Sequence, residues 1–243
     1  EGMRLERREL EDVKDYIEQL MDSASPSKNE KEREREFVKM FGVTPREYEE
    51  VYRNVRIVRK YATQEINSME SSEDEMLSYY RENRDFIDNF TIRDILFATV
   101  NLKTGAELSE EEKLKAGSRA LQVLQLLQEG IDAEQLALDH SDDPKVGANK
   151  GQFTFKIPRD RQNEIESWTM KSKPGDTGIV QAFNGYHVLK LEKRSAYEEV
   201  KQDVAQMLAE EKYKKMLESL RKDPANEFVI TNREFIDSIE FSF

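Results

Sequence analysis

The apolar residues of this chain change period twice, and that change limits the folds open to it. From Leu10 to Tyr80 they recur at helical spacing. From Phe90 to Leu191 β-branched and aromatic residues gather in short runs, and from Tyr197 to Leu220 the helical spacing returns. Leu10, Val13, Ile17, Leu20 and Met21 form a first stripe, broken at Ser23-Ala24-Ser25-Pro26-Ser27. Phe37, Val38 and Phe41 mark a second helix stopped at Gly42. Thr44-Pro45-Arg46-Glu47 has the form of a capping box with Pro at the first helical position, opening a helix striped by Tyr48, Val51, Tyr52, Val55 and Val58. Ser72-Glu73-Asp74-Glu75 caps a fourth, with Met76, Tyr79 and Tyr80 inward.

The middle reads as β-α-α-β-α-β-β. Phe90 to Val100 is a strand, Ser109 caps a helix carrying Leu114, Leu121, Leu124 and Leu127, and Asp132 caps a shorter one. Asn149 to Phe155 leads into a short strand, and Ile165 to Met170 is helical. Thr177 to Phe183 and Tyr186 to Leu191 form a hairpin around Asn184-Gly185, because both residues tolerate positive φ. The helix from Tyr197 to Arg221 cannot bury its stripe alone, and the nearest unpaired apolar faces are those of the N-terminal helices. The expectation is an α+β chain in which residues 90–194, a small mixed sheet with helices, are inserted between helical segments 1–89 and 195–243. Phe228 to Ile230 and Phe235 to Ile239 read as short terminal strands.

Composition removes several function classes. A net charge of −12 argues against nucleic acid or an anionic membrane as a non-specific partner. No run of about 18 or more apolar residues occurs, so no transmembrane segment is expected. The chain has no cysteine, which excludes disulfides and thiolate chemistry, and its two histidines cannot make a zinc site. Neither a metal nor another cofactor is expected. Ser141, His187 and Asp94 suggest a hydrolase triad on residue type alone, but no nucleophile-elbow sequence supports one.

Ile92-Arg93-Asp94-Ile95-Leu96, His140-Ser141-Asp142-Asp143-Pro144, Lys173-Pro174-Gly175-Asp176 and Asn184-Gly185-Tyr186-His187-Val188-Leu189 follow one another in an order and spacing that resembles a parvulin-type peptidyl-prolyl isomerase domain. The helical flanks resemble those of exported foldase chaperones of the SurA and PrsA kind. Such an isomerase needs no nucleophile: it lowers a barrier of about 18–20 kcal/mol by binding the twisted amide better than the planar one. The resemblance implies two histidines on the first and last strands, a cysteine or aspartate after the second helix, and a Leu-Met-Phe pocket for the proline ring.

Carried onto this chain, the pattern is mixed. His187 matches the last-strand histidine and Asp143 the cysteine-or-aspartate position, while Asp94 stands in place of the first-strand histidine. Lys150 falls where the pocket leucine is expected, just before Gly151-Gln152-Phe153. Pro158 or Arg161 replaces the methionine, Ile165 the phenylalanine, and Ala182 a threonine; Trp168 is placed at the pocket edge. A lysine facing a proline ring would have to turn outward or stay solvated. An Asp94–His187 pair across neighbouring strands would favour a charged imidazolium. His187 reads equally well as a structural histidine, and His140 as a helix-end surface residue.

The catalytic set is therefore Asp143, His187 and Asp94, and the substrate-binding set Lys150, Phe153, Ile165, Trp168 and Ala182. The expected protein is an exported chaperone, periplasmic or at the cell surface with its signal segment removed. It would bind unfolded or nascent exported polypeptides and carry a diverged, weak or inactive isomerase domain. Phe37, Met76, Tyr79 and Met207 are candidates for the client surface. A working isomerase, and a cell-envelope assembly factor with one specific partner, remain open. Relative to SurA-like proteins an initial strand and helix are missing, which would allow a swapped homodimer.

Overall fold

The computed structural model describes residues 3–223 of the 243. The terminal strands expected at Phe228–Ile230 and Phe235–Ile239 lie outside the described residues. Two compact units are present, one drawn from the stretch up to Ser71 and the stretch from Gln206 on, the other being Ser72–Ala205.

The helical unit contains α1 (Arg7–Ala24), α2 (Glu30–Phe41) and α3 (Pro45–Ser68). Its core is Val13, Ile17, Met21, Phe37 and Tyr48, with Phe41 and Tyr52 packed against them. Phe37 meets Tyr48 edge-on with ring centroids 5.6 Å apart, a favourable quadrupole geometry. The capping box at Thr44 and Glu47 is formed, and Pro45 takes the first position of α3. That helix buries Tyr48, Val55 and Ala62 but leaves Val58 exposed, so the stripe read at Val58 is off the buried face. Phe37 is fully buried and belongs to the core, which removes it from the expected client surface.

The sheet unit starts one helix earlier than the expected boundary at residue 90. Ahead of β1 (Phe90–Ala98) it includes α4 (Glu73–Ile87). Ile87 is fully buried and Phe86 packs against the sheet core. Asp88, also fully buried, accepts from the Tyr80 hydroxyl at 2.9 Å and from Arg194 Nε at 2.5 Å, while Arg194 also bonds Asp85 at 2.6 Å. Burial, then the bond to Asp88, pushes the Tyr80 phenol up to about 12. For Arg194 burial opposes the charge, but the bonds to Asp88 and Asp85 prevail and hold its pKa above the usual value. A buried carboxylate requires such partners, and they tie α4 to the end of the last strand.

After β1 come α5 (Glu110–Gln128), α6 (Ala133–His140), the single turn α7 (Val146–Asn149), β2 (Gln152–Phe155), α8 (Glu164–Lys171), β3 (Thr177–Ala182), β4 (Gly185–Arg194) and α9 (Tyr197–Lys222). The strand order is β2-β1-β4-β3. The expected mixed sheet is antiparallel in every ladder, because each sequence neighbour is reached by a hairpin or a return connection and none by a parallel crossover.

Side-chain alternation divides the sheet into two faces. Ile95, Phe97 and Val188 face α5 and α6, whereas Phe90, Ile92, Val180, Leu189 and Leu191 pack with Ile157 and α8. The stripe of α5 differs from the one read from its leucines. Ala116, Ala120, Val123 and Leu127 are buried, while Leu114 and Leu121 are 72% and 65% exposed. Small residues win here because the helix lies close to the sheet: a Cβ on Gly117 would sit 3.4 Å from the Tyr186 ring.

Candidate active site on the α8 face of the sheet

Register brings two of the expected catalytic residues together. Leu96 pairs with His187 and Asp94 with Leu189, so Asp94 and His187 are diagonal neighbours on one face. His187 Nδ1 lies 2.9 and 2.8 Å from the two Asp94 carboxylate oxygens. His187 Nε2 lies 2.9 Å from Asn184 Oδ1. Both ring nitrogens are therefore engaged by side chains, and the histidine is only 5% exposed.

The sequence marks Asn184 only as a turn residue. Its hairpin position three residues before His187 turns out to place its amide on the imidazole, and no sequence signal beyond the Asn-Gly turn marks that role.

The third expected catalytic residue is elsewhere engaged. Asp143 Oδ1 accepts from the Lys145 backbone N–H at 2.9 Å, and Asp143 N–H bonds Ser141 Oγ at 3.3 Å, a local turn at the start of α7. That loop is pinned to β1. The Leu96 N–H donates to Ser141 Oγ, the Asp142 N–H donates to the Leu96 carbonyl, and Asp142 Oδ2 accepts from Ala98 N–H. Ser141 is thus a structural acceptor. Arg119, stacked over Phe97, completes the anchor on Asp142 and on the His140 carbonyl.

The expected substrate-binding residues divide. Ile92 pairs with Phe153, which puts Phe153, 38% exposed, on the same face as Asp94 and His187. Val180 pairs with His187, so Ala182 is on that face too. Ile165 and Trp168 of α8 pack on the Ile92–Leu189–Val180 cluster. Trp168 lies directly on β3: a Cβ at Gly178 would come 2.6 Å from its Nε1, so only glycine leaves room for the indole.

Lys150 is not part of this face. With φ at +55° it ends α7, its carbonyl accepts from Arg93, and its ammonium pairs with Glu134 of α6 at 2.6 Å. Gly151 follows at φ +75°, where a Cβ would meet the Asp94 carbonyl oxygen at 2.6 Å. These two left-handed residues swing the lysine toward α6 and deliver Phe153 to the site instead. Pro158 and Arg161 are both exposed. Among the described residues, no three His, Asp or Glu side chains converge to hold a metal ion, and no helix is long and apolar enough to cross a membrane.

Residues 95–193, which lie wholly within the sheet unit, match the model of the PPIC-type PPIASE (rotamase) domain. The sheet unit is thus similar to parvulin domains, and the chain as a whole is similar to SurA and PrsA proteins. It is 29% identical over 155 residues to the chaperone SurA of Methylobacillus flagellatus, an alignment covering 62% of this chain and 34% of that protein. It is 25% identical over 158 residues to the foldase protein PrsA of Halalkalibacterium halodurans, covering 64% and 42%. The chain thus spans well under half the length of these relatives. A solved PrsA from Streptococcus pneumoniae superposes over 94% of this chain and 80% of its own with a TM-score of 0.48 and 16% identity.

Proposed function

We propose that this protein is an exported chaperone of the SurA and PrsA kind. Its helical unit holds unfolded or partly folded polypeptide, and its parvulin domain has weak or no isomerase activity. The observation that carries the second half is the closure of His187, with one ring nitrogen on Asp94 and the other on Asn184. A histidine so engaged has no free donor for a twisted amide unless one of these bonds breaks, and breaking a buried charged bond is costly. The kinship with SurA and PrsA supports the chaperone half.

A second reading, a working isomerase, is favoured by a different observation. Phe153, Ile165, Trp168 and Ala182 share the Asp94–His187 face, and apolar surface beside fixed polar groups is what a proline ring needs.

Exchange NMR on a short Ala-Pro peptide, with catalytic amounts of the folded protein and of Asp143→Ala, separates the two. No acceleration of cis–trans exchange is expected. Acceleration lost in the variant would establish the working isomerase and reject the weak-domain reading. Suppression of aggregation across several unrelated clients is expected in parallel; activity toward one client alone would replace the general chaperone with a dedicated assembly factor.

A further inference from the structure

We propose that the cleft between α3 and the C-terminal half of α9 selects client segments in which an apolar side chain is flanked by Asp or Glu. This rests on the chaperone reading above and names the chemistry of the segment held. Both helix stretches belong to the helical unit.

Arg59, Thr63 and Asn67 form a ridge along α3 at four-residue spacing, with a cleft on each side. The cleft toward α9 is ≈ 600 Å³, and Ala62, Ile66, Tyr213 and Leu217 supply its apolar surface. Ala62 and Tyr213 are buried while Leu217 remains 42% exposed, so an entering side chain finds a closed floor and an open rim. The cleft on the other side, ≈ 750 Å³, is walled by Arg56, Arg59 and Lys60, with Glu9 paired to Lys60 at 2.7 Å.

Charge decides what suits this surface. Across both clefts the cations are Arg56, Arg59, Lys60 and Lys214, against the carboxylates Glu9 and Glu210. The surplus is positive on a chain whose net charge is −12. A basic strip on an acidic protein attracts acidic segments and repels basic ones, whereas the net negative charge of the chain does the reverse. That gives register and selectivity more than raw affinity. Apolar burial at Ile66 and Leu217 supplies the hold, and the cations choose among segments of equal apolarity.

The test uses the full chain and two short fluorescein-labelled peptides with the same Leu and Phe residues, one flanked by Glu and one by Lys. Anisotropy titration should show the Glu peptide binding about tenfold more tightly at about 0.05 M salt, the gap closing at about 0.5 M. Arg56→Glu with Lys214→Glu should reverse the preference, and Leu217→Asp should weaken both peptides, with circular dichroism unchanged. Equal binding of the two peptides, or a preference unmoved by charge reversal, overturns the proposal; persisting suppression of client aggregation would then leave the chaperone reading intact. Failure of both peptides to bind, together with no suppression, removes the chaperone reading as well. A dimer in sedimentation that the charge reversal dissociates would assign the cleft to a second copy and also overturn the proposal.

Discussion

The two faces of the sheet use the same strands and differ in where they tolerate charge. On the α5–α6 face, Ile95, Phe97 and Val188 close against Ala116, Ala120 and Val123. Its buried cation, Arg93, runs to the rim, where Glu192 meets it at 2.9 Å. On the α8 face, a carboxylate and an imidazole stand at the middle of β1 and β4, and Arg194 stacks on Phe90 at 4.9 Å at the far end. A helix of small residues can lie flat on a sheet and leave nothing polar beneath it. The eight-residue α8 packs on Ile92, Val180 and Leu189, and Phe153 and Ala182 share that face with the buried Asp94–His187 pair. The first face is closed apolar packing and the second carries the candidate site, where a desolvated pair is kept because specific pairing offsets its cost.

That contrast can be broken by mutation, and Trp168, the single tryptophan, reports unfolding of the sheet unit by fluorescence. The largest effect is expected from Phe97→Ala on the closed face, a loss of about 3–5 kcal/mol in urea unfolding. A loss below about 1 kcal/mol would mean that this face is not the tightly packed one. Next comes Asp94→Ala, at about 2–4 kcal/mol, since it leaves His187 buried without its carboxylate. Replacing both by leucine should return stability to within about 1 kcal/mol of the parent, and a double variant as damaged as the single would show that the pair is not a self-contained unit.

Gly178→Ala should cost about 1–3 kcal/mol and shift Trp168 emission, through overpacking against the indole. Unchanged emission would contradict the close seating of Trp168 on β3.

A pH effect is expected at the α4 clasp. The Tyr80 phenol is raised from 10.0 to about 12 in the folded protein, so its contribution is fully present below about pH 10 and is lost as pH rises through that window to about 12. Tyr80→Phe should flatten the stability profile between those values, and an unaltered profile would place the titration elsewhere. The smallest effect belongs to Leu114→Ser, within about 0.5 kcal/mol, because that leucine points into solvent. A larger loss would restore the leucine stripe read from the sequence.

Much of the architecture was legible before any coordinates. The capping box at Thr44 and the caps at Ser72 and Ser109 form as read, whereas the hairpin expected at Asn184-Gly185 turns one residue earlier, at Phe183-Asn184, with Gly185 already paired to Ala182. These are local signals, decided by hydrogen bonds within one turn of the chain. The leucines of α5 point to the wrong face because they outweigh its alanines in apolar area, although Ala116, Ala120, Val123 and Leu127 hold the better helical spacing. The family pattern puts Lys150 at the pocket by position alone, and position along the chain does not reveal the left-handed turn at Lys150 and Gly151 that redirects its side chain. Asp143 is at its expected position in the chain, yet its carboxylate serves the backbone of its own loop.

The amino-acid order by itself determined where helices begin, where the chain turns and that strands occupy the middle, all of which follow from short-range sterics and from side-chain period. That Asp94 and His187 could become neighbours was implied by the resemblance to parvulin domains. Only the tertiary structure decided that α4 joins the sheet through Asp88 and Arg194, that Asn184 closes the second nitrogen of His187, and that Phe153 rather than Lys150 borders the site. The Asp88–Arg194 pair closes between residues 106 positions apart, and the burial that makes each of these contacts matter exists only once the fold has formed.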